Sequence, residues 1–235
     1  MGPITAGVRF VGVEIEPYKG RTPASLLPGC QLDAPLIGME NRREEQQKPI
    51  RLIAAVCRNN GIGKDGTLPW SLPTEFQYFL NTITRVSRPG NMNLMIWGRL
   101  CWFSHPDTVF PLANSLHAVL STTLTAVPNH AQFLCADFES AVRLAALPPL
   151  ADIIETIWIL GGTKVYEDAL KHPWCDLLYL TDVMADFDCD VFFPDFDREL
   201  FQVQDEFPDV PGEVQEENGI KFKCQVFKRV TVEEQ

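Results

Sequence analysis

The chain predicts an α/β fold: a single domain on a mainly parallel, twisted sheet of about eight strands, with flanking helices and a C-terminal antiparallel hairpin. Three observations carry this. From Pro49 onward, short strand-like runs alternate with helical ones, the order that gives a parallel sheet with right-handed crossovers. Runs such as Thr156-Ile157-Trp158-Ile159-Leu160 are continuously apolar, as strands buried on both faces are. Finally, two strand-like runs near 201–207 and 219–229, joined around Glu217-Asn218-Gly219, read as an antiparallel pair at the edge.

Taken in order, strands are expected at 51–57, 92–97, 116–121, 131–135, 156–160 and 177–183, before the closing pair. Helices are expected at 74–85, 99–104, 137–146 and 163–171. Residues 1–49 differ: Pro3, Pro17, Pro23, Pro28 and Pro35 break any long element. Val8 to Ile15 could make one isolated strand, and Glu40 to Gln47 is a charged stretch. Without a periodic apolar face, 1–49 is read as a flexible N-terminal extension to a domain spanning 50–235.

Composition narrows the function. With 46% hydrophobic and 22% charged residues, the 235-residue chain has an ordinary globular balance. A net charge of −11 without any basic run argues against nucleic acid or an anionic membrane as partner. No apolar stretch approaches membrane-spanning length. The seven cysteines show no CxxC pairs and no nearby metal-type histidines, so they read as core thiols in a reducing, cytoplasmic setting, and no metal is expected. The start lacks an apolar signal core, and Ala6 stands where a myristoylation signal needs Ser or Thr. A mitochondrial presequence is the other use of the extension, and Glu14 and Glu16 count against it.

Three stretches could carry chemistry. In the first, a glycine-punctuated loop from Gly61 ends in Leu68-Pro69-Trp70, and a short polar step leads into a helix. Pro73 and Thr74 suit that helix's first turn and N-cap, and Glu75 follows beside Phe76 and Phe79. A carboxyl among Trp, Phe and Leu side chains is desolvated and its pKa rises, which suits a proton-handling group. The second stretch is Ile159-Leu160-Gly161-Gly162-Thr163-Lys164-Val165-Tyr166, a buried strand, two glycines and a helix start that offers N–H groups to phosphate. The third is Met95-Ile96-Trp97-Gly98-Arg99-Leu100-Cys101-Trp102, again strand, glycine and helix, now with a cation. Ser121-Thr122-Thr123 adds hydroxyls at another strand end. Tight turns and dipole complementation explain each alone; together at one edge of a parallel sheet they suit a dinucleotide.

Taken together, these stretches resemble the dihydrofolate reductase family over about residues 50–230. The family pattern of Gly, four residues, Leu-Pro-Trp, four or five residues, an acid and a later aromatic is met by Gly63, Leu68-Pro69-Trp70, Glu75 and Phe79. Gly98-Arg99, Leu120-Ser121, Gly161-Gly162 with Tyr166, and Leu180-Thr181 follow in the family's order. The resemblance implies NADPH-dependent reduction of 7,8-dihydrofolate to tetrahydrofolate by a monomer. It implies that Glu75 binds the pterin and assists protonation, with Trp70, Leu68 and Thr181 in support. It places Ile53, Ala55, Glu75, Phe76, Phe79, Leu80, Ser104, Leu112, Ser115, Leu160 and Tyr166 around the substrate. Around the cofactor it places Ala55, Gly61, Ile62, Gly63, Lys64, Asp65, Gly66, Thr67, Arg99, Leu100, Cys101, Ser121, Thr122, Gly161, Gly162, Thr163, Lys164, Val165 and Tyr166. A cis bond between the paired glycines is implied as well.

Two departures stand out. The family's arginine for the folate glutamate tail corresponds to Ser115, and no Lys or Arg occurs between Arg99 and Arg143. The usual threonine of the cofactor helix is Cys101. They motivate an alternative function, a diverged, catalytically weak paralogue that binds NADPH or a pteridine as a regulatory protein. A reductase of a ribosylamino-pyrimidine shares the fold but does not usually keep the Leu-Pro-Trp and Glu set.

Overall fold

In the structure, a computed structural model that describes residues 45–105 and 109–230, the strands of the expected alternation assemble around β1 (Ile50–Cys57). The other elements, in order, are β2 (Gly61–Gly63), α1 (Pro73–Thr84), β3 (Met92–Gly98), α2 (Arg99–Ser104), β4 (Ser115–Leu120), β5 (Phe133–Cys135), α3 (Phe138–Ala146), β6 (Ile154–Ile159), α4 (Thr163–Lys171), β7 (Cys175–Val183), β8 (Val191–Phe192), β9 (Phe201–Gln204), β10 (Gln215–Glu217) and β11 (Ile220–Arg229). The strand expected over Val8 to Ile15, and most of the extension, lie outside the described residues.

The main sheet runs β10-β11-β7-β1-β6-β3-β4-β5, with β9 also paired to β11. From β7 to β5 every pairing is parallel. The carboxyl ends of β1, β3, β4 and β6 therefore share one edge. Strand β1 shows why the sheet is central: Leu52 packs into the apolar layer under α3 and α4, while Ile53 packs into the opposite layer with Ile83 of α1 and Trp102 of α2. A strand apolar on both faces is covered by helices on both. Each such fully buried aliphatic side chain contributes about 2 kcal/mol. Among the described residues no helix is long and apolar enough to cross a membrane.

Three local expectations are corrected. The turn at 217–219 joins β10 to β11, rather than joining the 201–207 run to it; the latter shortens to β9, which pairs with the far end of β11 at Val226 to Arg229. Asn218 and Gly219 both have positive φ, 52° and 76°, the backbone a two-residue hairpin turn requires. The 131–135 strand is reduced to Phe133–Cys135. Thr74 is not the N-cap of α1, because Pro73 already begins the helix and Leu72 occupies the cap position without a side-chain bond. A proline at the first helical position has a fixed helical φ and no N–H to satisfy, which moves the start one residue back.

The missing cap is supplied from outside the helix. The Thr74 backbone N–H donates to Glu217 Oε2 at 2.9 Å, and its hydroxyl donates to Oε1 at 2.8 Å. Asn218 Nδ2 donates to the Ser71 carbonyl at 2.9 Å. The β10–β11 turn thus clamps the chain on both sides of the α1 start, one residue before Glu75. Removing the clamp by Glu217→Ala leaves helix donors without their acceptor, a loss of about 1 kcal/mol. Thermal denaturation is expected to show a melting temperature lower by about 2–4 °C, with the fold's circular dichroism unchanged.

Candidate active site

Glu75, in the first turn of α1, is buried with only 7% of its surface exposed. The Thr181 hydroxyl of β7 donates to its Oε1 at 2.8 Å. Desolvation pushes the carboxyl up to about 7, against the lowering effect of the Thr181 bond, and Glu217 adds to the rise. A carboxyl half-protonated near neutrality can both accept a paired donor edge and release a proton. Trp70, on the Leu-Pro-Trp corner, is buried against Phe187, and its Nε1–H has no protein partner among the described residues. An orphaned buried indole donor suits a polar ligand atom or a water. Leu68 remains exposed at the corner.

Apolar side chains surround this group. Phe76 and Phe79 stack with ring centroids 5.8 Å apart, and Leu80 is buried on the same helix. Ile53, Leu160 and partly buried Phe79 and Leu112 share one apolar cluster. Ala55 packs with Trp70 and Cys57 in another. Tyr166 of α4 donates its hydroxyl to the Ile53 carbonyl at 2.9 Å, deep in the fold. Ser104 is exposed, and its hydroxyl turns back to the Cys101 carbonyl.

The glycine edge lies at the carboxyl ends of β3 and β6. Gly98 N–H donates to the Gly161 carbonyl at 2.6 Å, and the Gly161–Gly162 peptide is cis. A Cβ on Gly98 would lie 3.1 Å from the Gly162 backbone nitrogen, so the two strand ends approach as only glycine allows. No heavy atom lies within 4 Å of where a Gly162 side chain would stand, and the α4 N-terminus has no side-chain cap. Open space before uncapped helix N–H groups fits a phosphate of a dinucleotide. Val165 is buried at the start of α4, Thr163 donates to the Phe192 carbonyl at 2.7 Å, and Lys164 pairs with Asp168 on its own helix.

The other residues expected at the cofactor have these surroundings. Cys101 bonds the Leu160 carbonyl through its thiol, at 3.3 Å, joining α2 to the end of β6. Arg99 and Leu100 are exposed, and Arg99 has no ion pair among the described residues. Ser121 Oγ accepts from the Thr123 and Leu124 N–H groups, and Thr122 is exposed. In the glycine loop, Lys64 and Thr67 exchange backbone bonds of 2.9 Å around Asp65 and Gly66, both at positive φ. Lys64 pairs with Asp188, and Asp65 N–H donates to Asp190 Oδ2. Ile62 packs near α4.

Ser115 begins β4, is buried, and bonds the Ala113 carbonyl at 2.8 Å. Two contributions were missed in the sequence. One is Glu217, which holds the α1 start from a remote hairpin. The other is the β2–β8 ribbon that supports the glycine loop through Gly61↔Phe192 and Gly63↔Val191. Strands of two or three residues carry no periodicity to read.

The burial of Glu75 has a sign. A folded pKa near 7 against an ordinary value of 4.5 means that the native state favours the protonated acid. Its full stability is present below about pH 4.5 and is lost as pH rises to about 7, by on the order of 2–4 kcal/mol. Glu75→Gln keeps the shape and the Thr181 bond without the charge. It is expected to raise the melting temperature at pH 8 and to leave it nearly unchanged at pH 4.5, as followed by thermal denaturation at both values.

Comparison with known proteins agrees with this geometry. The family model described as dihydrofolate reductase matches residues 49–229. The dihydrofolate reductases of Bos taurus and Rattus norvegicus are 42% and 40% identical over 183 residues, covering 77% of this chain and 98% of each relative. A viral dihydrofolate reductase of Saimiriine herpesvirus 2 is 38% identical over 182 residues, covering 77% of this chain and 85% of its own. The solved structure of Schistosoma mansoni dihydrofolate reductase superposes with a TM-score of 0.70 at 30% identity, over 79% of this chain and all of that one. With its motif residues gathered at one sheet edge and the match spanning nearly the whole described domain, the chain belongs to the dihydrofolate reductase family.

Proposed function

We propose that the protein reduces 7,8-dihydrofolate to tetrahydrofolate with NADPH, and that Glu75 is the group that handles the proton. The observation that carries this is a buried carboxyl, bonded by Thr181 and held near pH 7; the unpartnered Trp70 N–H supports it. Bound NADPH supplies the hydride. The α4 N-terminus and Gly161-Gly162 would hold its phosphates, the Gly61 to Thr67 loop would cover it, and Arg99, Ser121 and Thr122 would take its adenosine end. Glu75 accepts the paired N–H donors of the pterin and holds a proton for the ring nitrogen. Thr181 fixes the carboxyl's rotamer, and Trp70 orients the polar atom between them. Ile53, Phe79 and Leu160 keep bulk water from that corner.

The tail end of the substrate site differs. Ser115 has no charge and spends its hydroxyl on Ala113, so we read the folate tail as weakly held. A lost charge-assisted pair is worth about 1.5–3 kcal/mol, or about ten- to a hundredfold in binding. The six free cysteines of the described residues suit a reducing compartment, and we place the enzyme in the cytoplasm as a monomer.

Loss of NADPH absorbance with dihydrofolate present is the direct test; tight NADPH binding without turnover would instead support a binding protein. Proton delivery needs the protonated acid, so kcat/KM is expected to be flat below about pH 7 and to fall tenfold per unit above it. Glu75→Ala should abolish turnover at neutral pH. Ser115→Arg is expected to lower KM for dihydrofolate up to about tenfold at unchanged kcat. An unchanged KM would show that position 115 does not face the tail.

A further inference from the structure

Cys57 and Cys189 pack in the cluster of Trp70 and Ala55, but neither is assigned a contact with substrate or cofactor. Cys57 ends β1, and Cys189 stands two residues before β8; their Sγ atoms are 3.8 Å apart, in contact. Among the described residues no other two thiols touch. Between them passes Gly61, the first residue of the glycine loop. A Cβ there would collide with Cys189 Sγ and lie 2.9 Å from Cys57 Sγ, so the thiols close directly over a bare Cα. Cys57 is buried, 2% exposed, and its thiol meets Asn59 Oδ1 at 2.9 Å; Cys189 is partly exposed and is the sulfur that solvent reaches first. Two further bonds tie the same segments, from Asp190 N–H to the Gly63 carbonyl and from Phe193 N–H to the Asn60 carbonyl.

We propose that Cys57 and Cys189 form a reversible disulfide that joins the end of β1 to the segment before β8, to which the 61–67 loop is bonded, and slows turnover. The thiol pairing stands on geometry alone, whereas its effect on turnover rests on the function proposed above. The sulfurs must approach from 3.8 Å to the bond length of about 2.05 Å, a shift that side-chain rotation and the short β8 segment can supply.

The oxidant is a hydroperoxide. The Cys189 thiolate attacks one oxygen of hydrogen peroxide, the O–O bond breaks, a sulfenic acid forms, and the departing hydroxide takes up the proton the thiol had released, as water. The Cys57 sulfur then attacks Cys189 Sγ, and the departing hydroxide takes the Cys57 proton as water. Two thiols lose two electrons, and hydrogen peroxide is reduced to two waters. Burial and the Cys57 thiol raise the Cys189 thiol, against a lowering backbone bond at Gly63 and with a small further rise from Asp188. The pair therefore reacts slowly, and the probe is millimolar rather than trace peroxide.

The test uses the full chain. After peroxide treatment and alkylation, peptide mapping is expected to find one cross-linked species joining Cys57 to Cys189, with free thiols falling from seven to five. Turnover should drop several-fold and return with dithiothreitol. Cys57→Ser and Cys189→Ser, which keep a small polar group, should retain turnover through the same treatment. Both thiols remaining alkylatable, or pairing with other cysteines, would overturn the pairing. A cross-linked protein with full turnover would overturn the control of the loop. If the reduced protein has no turnover, the reaction assigned above fails; the peptide map still decides the pairing, and NADPH affinity replaces turnover as the loop's readout, with no change on cross-linking counting against it.

Discussion

The hydrogen bond from Thr181 to Glu75 is the contact on which the rest of the site depends. A carboxyl taken out of water loses solvation that one neutral hydroxyl cannot restore, and the raised pKa measures that shortfall. The fold sustains the cost by holding both partners rigidly. Thr181 stands on β7, between β1 and β11 in the sheet, and Glu75 follows a helix start clamped by Glu217 and Asn218. Chemistry and stability are opposed at this residue. The environment that makes the acid useful near pH 7 is the one that weakens the folded state there.

The glycine edge answers a different constraint. Backbone N–H groups can meet a phosphate only where no side chain intervenes, and a parallel sheet brings several strand ends to one rim. Gly98 and Gly161 join two of those ends by a direct backbone bond, with Cys101 tied to the same strand end through Leu160. The loop that begins at Gly61 is supported separately, by a two-stranded ribbon outside the main sheet. A ribbon so short contributes few bonds, as the lid role proposed for this loop would need.

The two ends of the substrate site are unequal. At the end proposed for the pterin, the buried acid and its Thr181 hydroxyl are present and bonded. At the start of β4, the position proposed for the folate tail, stands a buried serine bonded to its own loop. Neutrality at Ser115 removes an electrostatic anchor without disturbing the strand, because its hydroxyl finds a local acceptor.

Much of this was legible in the chain. Continuous apolar runs and strand–helix alternation determine a parallel sheet, since only burial on both faces accommodates strands such as Ile154–Ile159. Glu75, Trp70 and the glycine pairs were readable because each sits in a local pattern: a corner before a helix, or a turn after a strand. The tertiary structure decided what depends on residues distant in sequence. The acid's partner Thr181 lies 106 residues away, the helix clamp from Glu217 reaches back 143 to Thr74, and the Cys57–Cys189 contact spans 132. Such contacts follow from sheet order and register, which local periodicity does not encode. So the acid, the rise of its pKa and, through the family pattern, Thr181 could be expected from the sequence, whereas the register that brings Thr181 to 2.8 Å from Glu75 and the clamp from Glu217 belong to the assembled sheet.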